Sequence, residues 1–154
     1  MILYHGGEVT VYNPVVLTNG RYKDFGYGFY CTNHERQAIR RALSKRGKKH
    51  VVSVYEYEES EGLRILRFSD TNDAWLDFVT ACRRGASHDY DVVEGPMADD
   101  QIWNYVEDYV EGNLSREAFF ALTKFNHPTH QIAFCTEKAL ALLRFERSFE
   151  VHEK

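Results

Sequence analysis

The sequence predicts an α+β fold with an antiparallel or mixed sheet. Three observations carry that expectation. First, apolar residues switch repeatedly between period 2 and helical spacing along the 154 residues, so strands and helices interleave. Second, the interleaving lacks the strict strand–helix–strand rhythm of a doubly wound sheet, because two strands follow one another between residues 50 and 68. Third, there is no internal repeat, no low-complexity segment and no stretch resembling a linker. A single domain over residues 1–154 is therefore expected.

The elements follow in order. Ile2 to His5 is a short apolar strand, and Asn13 to Asp24, with Pro14 and Gly20, is a loop. Gly28 to Thr32 is aromatic and apolar, hence a strand. Thr32 and Glu35 have the spacing of a capping box that opens a helix. In it Ala38, Ile39, Ala42 and Leu43 form the apolar stripe, Arg40, Arg41, Lys45 and Arg46 cover the rest, and Gly47 ends it. His50 to Tyr57 alternates as a half-buried strand, and Leu63 to Phe68 is another. A helix from Ala74 to Arg84 aligns Trp75, Phe78, Val79 and Cys82, and Tyr90 to Val93 is a strand ending at Gly95-Pro96. A helix from Asp99 to Glu111 aligns Ile102, Trp103, Val106 and Val110, and the Trp75 and Trp103 stripes fit core packing. Ser115 caps a helix to about Lys124, and Gln131 to Cys135 is a strand. Thr136 caps a helix through Leu142, and Arg144 to Val151 is the last strand.

Composition narrows the function classes. The formal net charge is −4, which argues against a protein that holds nucleic acid mainly by overall charge, although a local basic patch stays open. No run of about 18 apolar residues exists, so no membrane span is expected. The start lacks a basic n-region and an apolar h-region. Cys31, Cys82 and Cys135 are odd in number and unclustered, so neither a disulfide framework nor a zinc site is expected. A cytoplasmic protein fits these features.

Two short runs can carry chemistry. Tyr4-His5-Gly6-Gly7 places an imidazole at a strand end beside backbone that other groups can approach closely. The alternative is a surface His in a glycine turn. In Asp24-Phe25-Gly26-Tyr27-Gly28-Phe29-Tyr30, two glycines permit a tight turn, and Tyr30 can stack on a planar ligand. The alternative here is a hairpin turn with a core tyrosine. The glycines precede a strand and no third one follows, so this is not a Rossmann fingerprint.

Taken together, Leu3-x-His5-Gly6 and Gly26-x-Gly28-x-Tyr30 resemble the ADP-ribosyltransferase superfamily in its His-Tyr-Glu branch, which holds poly(ADP-ribose) polymerases and diphtheria-like toxins. More closely, the chain resembles a family of small bacterial proteins called domain of unknown function 3990. The matching runs are 3–6, 24–32, Tyr90-Asp91-Val92-Val93, Gly95-Pro96-Met97-Ala98-Asp99-Asp100 and 131–137. The resemblance implies a split antiparallel β core with flanking helices that grips NAD as co-substrate. His5 would hydrogen-bond a ribose or the nicotinamide amide, Gly6 would meet that amide through its backbone, and Tyr30 would stack on the ring. Tyr4, Gly28 and Phe29 complete the implied cofactor set; Arg21, in the loop before the glycine turn, offers a pyrophosphate contact or else is a solvated cation. The implied activity is mono-ADP-ribosyl transfer to a protein or nucleic acid, in the setting of a toxin with an antitoxin partner. A catalytically inactive NAD or ADP-ribose binder is the alternative.

Two positions depart from the branch. Gln131 stands where the transferases carry a catalytic Glu, so the site there has an amide and no negative charge. Arg41 stands eleven residues after Tyr30, where polymerase-like members have a second aromatic. Asp99 and Asp100 offer a ribose or substrate contact, or else the N-terminal cap of the next helix. Glu137 reads as a first-turn carboxylate. His127 and His130 lack a third metal ligand, so no metal is expected.

Overall fold

Apolar side chains on both faces of two sheets force a layered arrangement in the computed structural model, which describes residues 1–18, 23–97, 100–123 and 129–152. The fold is α+β. The strands are β1 (Ile2–Gly7), β2 (Phe29–Cys31), β3 (Val51–Tyr57), β4 (Ile65–Arg67), β5 (Val92–Gly95), β6 (Gln131–Phe134) and β7 (Leu143–Glu150). The helices are α1 (Glu35–Leu43), α2 (Asp73–Arg83), α3 (Asp100–Val110), α4 (Arg116–Thr123) and α5 (Glu137–Leu140).

One sheet has the order β1-β3-β7 and is antiparallel throughout. The other has the order β2-β6-β5-β4, with β4 parallel to β5 and the remaining pairs antiparallel. The consecutive strands β3 and β4 thus fall in different sheets. A single antiparallel bridge, Tyr4 to Thr32, joins the sheets at β1 and β2. Its two backbone bonds are 2.8 and 2.9 Å long.

Alternation along the strands sorts the side chains into layers. Leu3, Phe29, Cys31, Tyr55, Tyr57, Val92, Ile132 and Phe134 fill the space between the sheets. The outer face of the first sheet, Val52 and Val54, is covered by Ala38 and Ala42 of α1. The outer face of the second sheet, Val93 and Ala133, is covered by Trp75, Leu76 and Val79 of α2, by α3 and by Phe119 of α4.

Local signals set several boundaries. Ser115 Oγ accepts from the Ala118 N–H at 3.1 Å, and Thr136 Oγ1 accepts from Ala139 N–H at 3.2 Å, so both predicted caps are present. Glu137 lies in the first turn of α5. The predicted capping box at Thr32 is absent. His34 is the N-cap and makes no side-chain cap bond, while Thr32 Oγ1 accepts from His34 N–H at 3.1 Å. β3 is buried on both faces apart from Glu56, not half-buried, because α1 lands on one side and the second sheet on the other.

Candidate functional site

β1 runs two residues further than the apolar pattern indicates, so Gly6 and Gly7 are strand residues paired with Val52 and Val51. A Cβ on Gly6 would stand 2.2 Å from the Ala38 carbonyl oxygen and 2.8 Å from Ala42 N. The missing side chain at Gly6 is therefore what lets α1 lie directly on β1. Tyr4 is on the same side as Gly6 and packs its ring into the α1 layer, so only its backbone reaches the join between the sheets.

Past that join, β1 and β2 diverge. Tyr4 directs its N–H and C=O at β2, and the two-residue period of a strand aims those of Gly6 the same way. No backbone partner among the described residues meets them there. The Tyr30 carbonyl, two residues before Thr32, points back into the same split by the same rule. His5 occupies the gap between them. Its Nδ1–H donates to Tyr30 O at 2.7 Å, and its ring stacks on Phe29 with centroids 4.3 Å apart and planes 26° apart.

The chemistry of His5 follows from that geometry. A carbonyl only accepts, so Nδ1 carries the proton. Burial pushes the imidazole pKa below its ordinary 6.5, the bond to Tyr30 opposes this, and the cations Lys45 and Arg41 lower it further. The ring is neutral near pH 7, which leaves Nε2 as an acceptor with no hydrogen bond from any described residue. Gly7 lies beside it on the same face, where a Cβ would be 3.5 Å from Nε2. The glycine thus keeps the approach to Nε2 open.

Tyr30 and Gln131 lie elsewhere. Both project from the outer face of the second sheet, opposite Phe29 and His5. The Tyr30 hydroxyl donates to Gly26 O at 2.6 Å and accepts from Phe25 N–H at 3.0 Å. It thereby closes the glycine turn, in which Gly26 holds a φ of 83°. Desolvation by burial raises the Tyr30 pKa. Gln131 is buried, and its Nε2 donates to Asp24 Oδ2 at 3.0 Å and to Pro96 O at 3.3 Å. Gly28 is set by packing, since a Cβ there would stand 3.0 Å from Phe134 O. Phe29 is a core ring.

The structure therefore links His5 to Tyr30 through a backbone carbonyl and does not gather the side chains of His5, Tyr30 and Gln131 in one cleft. Arg21 and Asp99 lie outside the described residues; Asp100 opens α3 with its side chain outside them. His127 is likewise outside. His130 Nε2–H donates to Glu94 Oε2 at 2.7 Å while its Nδ1 accepts from Asn33 N–H at 3.1 Å. That hydrogen bond from His130 holds the Glu94 carboxyl below its ordinary pKa.

Sequence reasoning missed the groups around Gln131. Asp24 Oδ1 receives Arg83 Nε at 2.9 Å and Nη2 at 2.5 Å, and both side chains are about 95% buried (6% and 5% exposed). The Arg83 guanidinium stacks over the Trp103 ring at 3.4 Å, and its Nη1 has no hydrogen-bond partner among the described residues. Asp24 opens the run 24–30, whose pattern is set by glycines and aromatics. Nothing local marks Arg83 as a buried cation, because it reads as an ordinary last-turn basic residue.

Two surface concavities are lined by neither His5, Gly6 nor Tyr30. One, of about 310 Å³, is lined by residues that include Glu8, Lys49 and Ser148. The other, of about 540 Å³, is lined by Asn33, His34, Glu35, Arg36 and Ile39 at the start of α1. The split itself is occupied by the His5 ring, so a ligand would enter along the ring's free edge.

A family model described as a protein of unknown function (DUF3990) matches residues 1–145. The chain belongs to the DUF3990 family. That description names no activity. Comparison with curated proteins and with solved structures returns no match. No helix among the described residues is long and apolar enough to cross a membrane.

Proposed function

We propose that this DUF3990 member binds NAD in the split between β1 and β2 and uses it for mono-ADP-ribosyl transfer to a macromolecule. One observation carries the reading: on its edge facing β2, Gly6 presents an N–H and a C=O that meet no backbone partner among the described residues, next to the open Nε2 of a neutral His5. A carboxamide such as that of nicotinamide needs one acceptor and one donor on adjacent backbone atoms, and a ribose hydroxyl needs a nearby acceptor. The resemblance of the two motifs to the His-Tyr-Glu branch points to the same ligand. In the transfer, the nicotinamide–ribose bond breaks, nicotinamide leaves with the bonding pair, and an acceptor nucleophile takes the ribose and loses its proton. Positioning of the two reactants would supply most of the rate. By analogy of motif alone, a toxin paired with an antitoxin protein is the setting this activity suggests.

A second reading, NAD or ADP-ribose binding without turnover, is favoured by Gln131. Both amide bonds described for it run to Asp24 and Pro96 O, within the buried layer under α2 and α3. It brings no negative charge to a developing oxocarbenium ion. Calorimetry with NAD, together with nicotinamide release from the same sample, tests both. NAD binding that weakens up to about tenfold in His5→Ala supports the site. Nicotinamide release then decides for transfer and its absence for binding alone. Folded protein that takes up neither NAD nor ADP-ribose overturns both readings.

A further inference from the structure

Residues 36–49 hold Arg36, Arg40, Arg41, Lys45, Arg46, Lys48 and Lys49, seven of the chain's 19 Lys and Arg, and no acid. The whole chain has a formal charge of −4, so the positive charge is gathered on one element and the rest is strongly acidic. The partners differ too. Outside this segment Arg64, Arg67, Arg83, Arg116 and Arg144 each face a carboxylate, while Arg84 and Lys138 donate to the carbonyls of Val110 and Gly62 and Arg147 lies over the Phe149 ring. Within it, Lys49 lies 3.9 Å from Glu150, and the other six cations have no ion pair among the described residues. Five of those six are exposed, and Lys45 is half-buried.

We infer that α1 and the turn after it form a nucleic-acid-binding surface that lays a phosphodiester backbone alongside the split. The helical stretch from Arg36 to Leu43 spans roughly 10 Å, and Lys45 and Arg46 follow in the turn, enough to meet several successive phosphates. The other polyanionic surfaces fit less well. An anionic membrane would need exposed apolar side chains among the cations, and among the described residues the exposed large hydrophobic ones are Met1, Ile2, Val9, Tyr12, Val15, Leu17 and Leu122, none on this segment. A protein interface would need an apolar centre, which this face also lacks. A single dinucleotide pyrophosphate would engage only the cations nearest His5, namely Arg41 and Lys45, whose charge that ring feels.

The position beside the split gives the surface a consequence. Gly6 of β1 and α1 touch directly at Ala38 and Ala42. Nucleic acid held on α1 therefore lies next to the proposed NAD site, which makes it the acceptor class of the transfer. That acceptor role rests on the NAD reading above; the binding itself does not.

The test is fluorescence anisotropy of the full chain with a labelled DNA duplex and a labelled single-stranded RNA across a salt series. NAD calorimetry is run on the same samples. Binding to either probe is expected, with an affinity that falls steeply with salt. The triple variant Arg36→Gln, Arg40→Gln, Lys48→Gln is expected to bind about tenfold or more weakly and to flatten the log–log salt slope by about 2–3. Its circular dichroism and its NAD affinity should be unchanged, since all three side chains are exposed and none lies at the split. The inference is overturned if neither probe binds at low salt, if the triple variant binds as the parent does, or if phosphatidylserine vesicles bind while both probes do not. If the probes bind and NAD does not, the surface stands and its acceptor role falls.

Discussion

The split beside His5 and the layer around Gln131 lie on opposite faces of the same pair of strands, β2 and β6, yet they are built on opposite plans. In the layer, polar groups face one another: Gln131 with Asp24 and Pro96 O, Asp24 with Arg83, Tyr30 hydroxyl with Gly26 and Phe25. In the split, the Gly6 backbone and His5 Nε2 keep capacity that no described residue takes up. Motif residues that are adjacent in sequence thus divide into two kinds of work. His5 and Gly6 offer contacts to something else, whereas Tyr30 and Gln131 hold the fold that positions them.

The largest effect that would break this contrast comes from Arg83→Ala. It removes the buried guanidinium that donates twice to Asp24 Oδ1, at a cost of about 3–5 kcal/mol. Thermal melting should register a fall of roughly 10 °C. A variant that melts like the parent would mean the layer is not what holds the glycine turn. Next is Gly6→Ala, whose new methyl meets the Ala38 carbonyl and must push α1 off β1. Urea unfolding should report a loss of about 3 kcal/mol, and a loss near zero would show that helix and strand have slack.

A smaller effect sharpens the division. Tyr30→Phe removes one donor and one acceptor from the turn and should cost about 1–2 kcal/mol, while NAD affinity stays within about twofold. A stable variant with lost NAD affinity would move Tyr30 to the ligand side of the contrast. The smallest effect concerns pH. The folded His5 pKa lies below the ordinary 6.5 of the unfolded chain, so as pH falls from 6.5 toward the folded value the unfolded state binds more protons. Wild-type stability relative to His5→Gln should therefore be full above 6.5 and decline as pH falls, by less than about 1.4 kcal/mol per pH unit. A relative stability that rises on acidification would mean the ring is charged in the fold.

How much of this was legible in the sequence depends on how far apart the interacting residues are. Ser115 and Thr136 announce their helices because a cap bonds a residue three positions away. The glycine turn at Gly26 was equally local. Thr32 misled for a complementary reason: its hydroxyl found the nearer His34 N–H, and the helix started one residue past that. β3 looks half-buried in the sequence because alternation alone does not report that a helix covers one face and a second sheet the other, both from elsewhere in the chain. The Gln131 partner Asp24 is 107 residues away, and no periodicity reports a contact at that separation. The basic character of α1 is plain in the letters, but not that its cations form no ion pair among the described residues.

The bridge between Tyr4 and Thr32 has a mechanical meaning. Two backbone hydrogen bonds form a seam where two sheets meet and from which β1 and β2 fan apart. A molecule entering the split acts as a wedge whose lever arm is the distance from His5 to that seam. The exchange rates of the Tyr4 and Thr32 amide protons would then serve as a strain gauge on the protein's own backbone, reading whether an occupant pries the sheets open or draws them together.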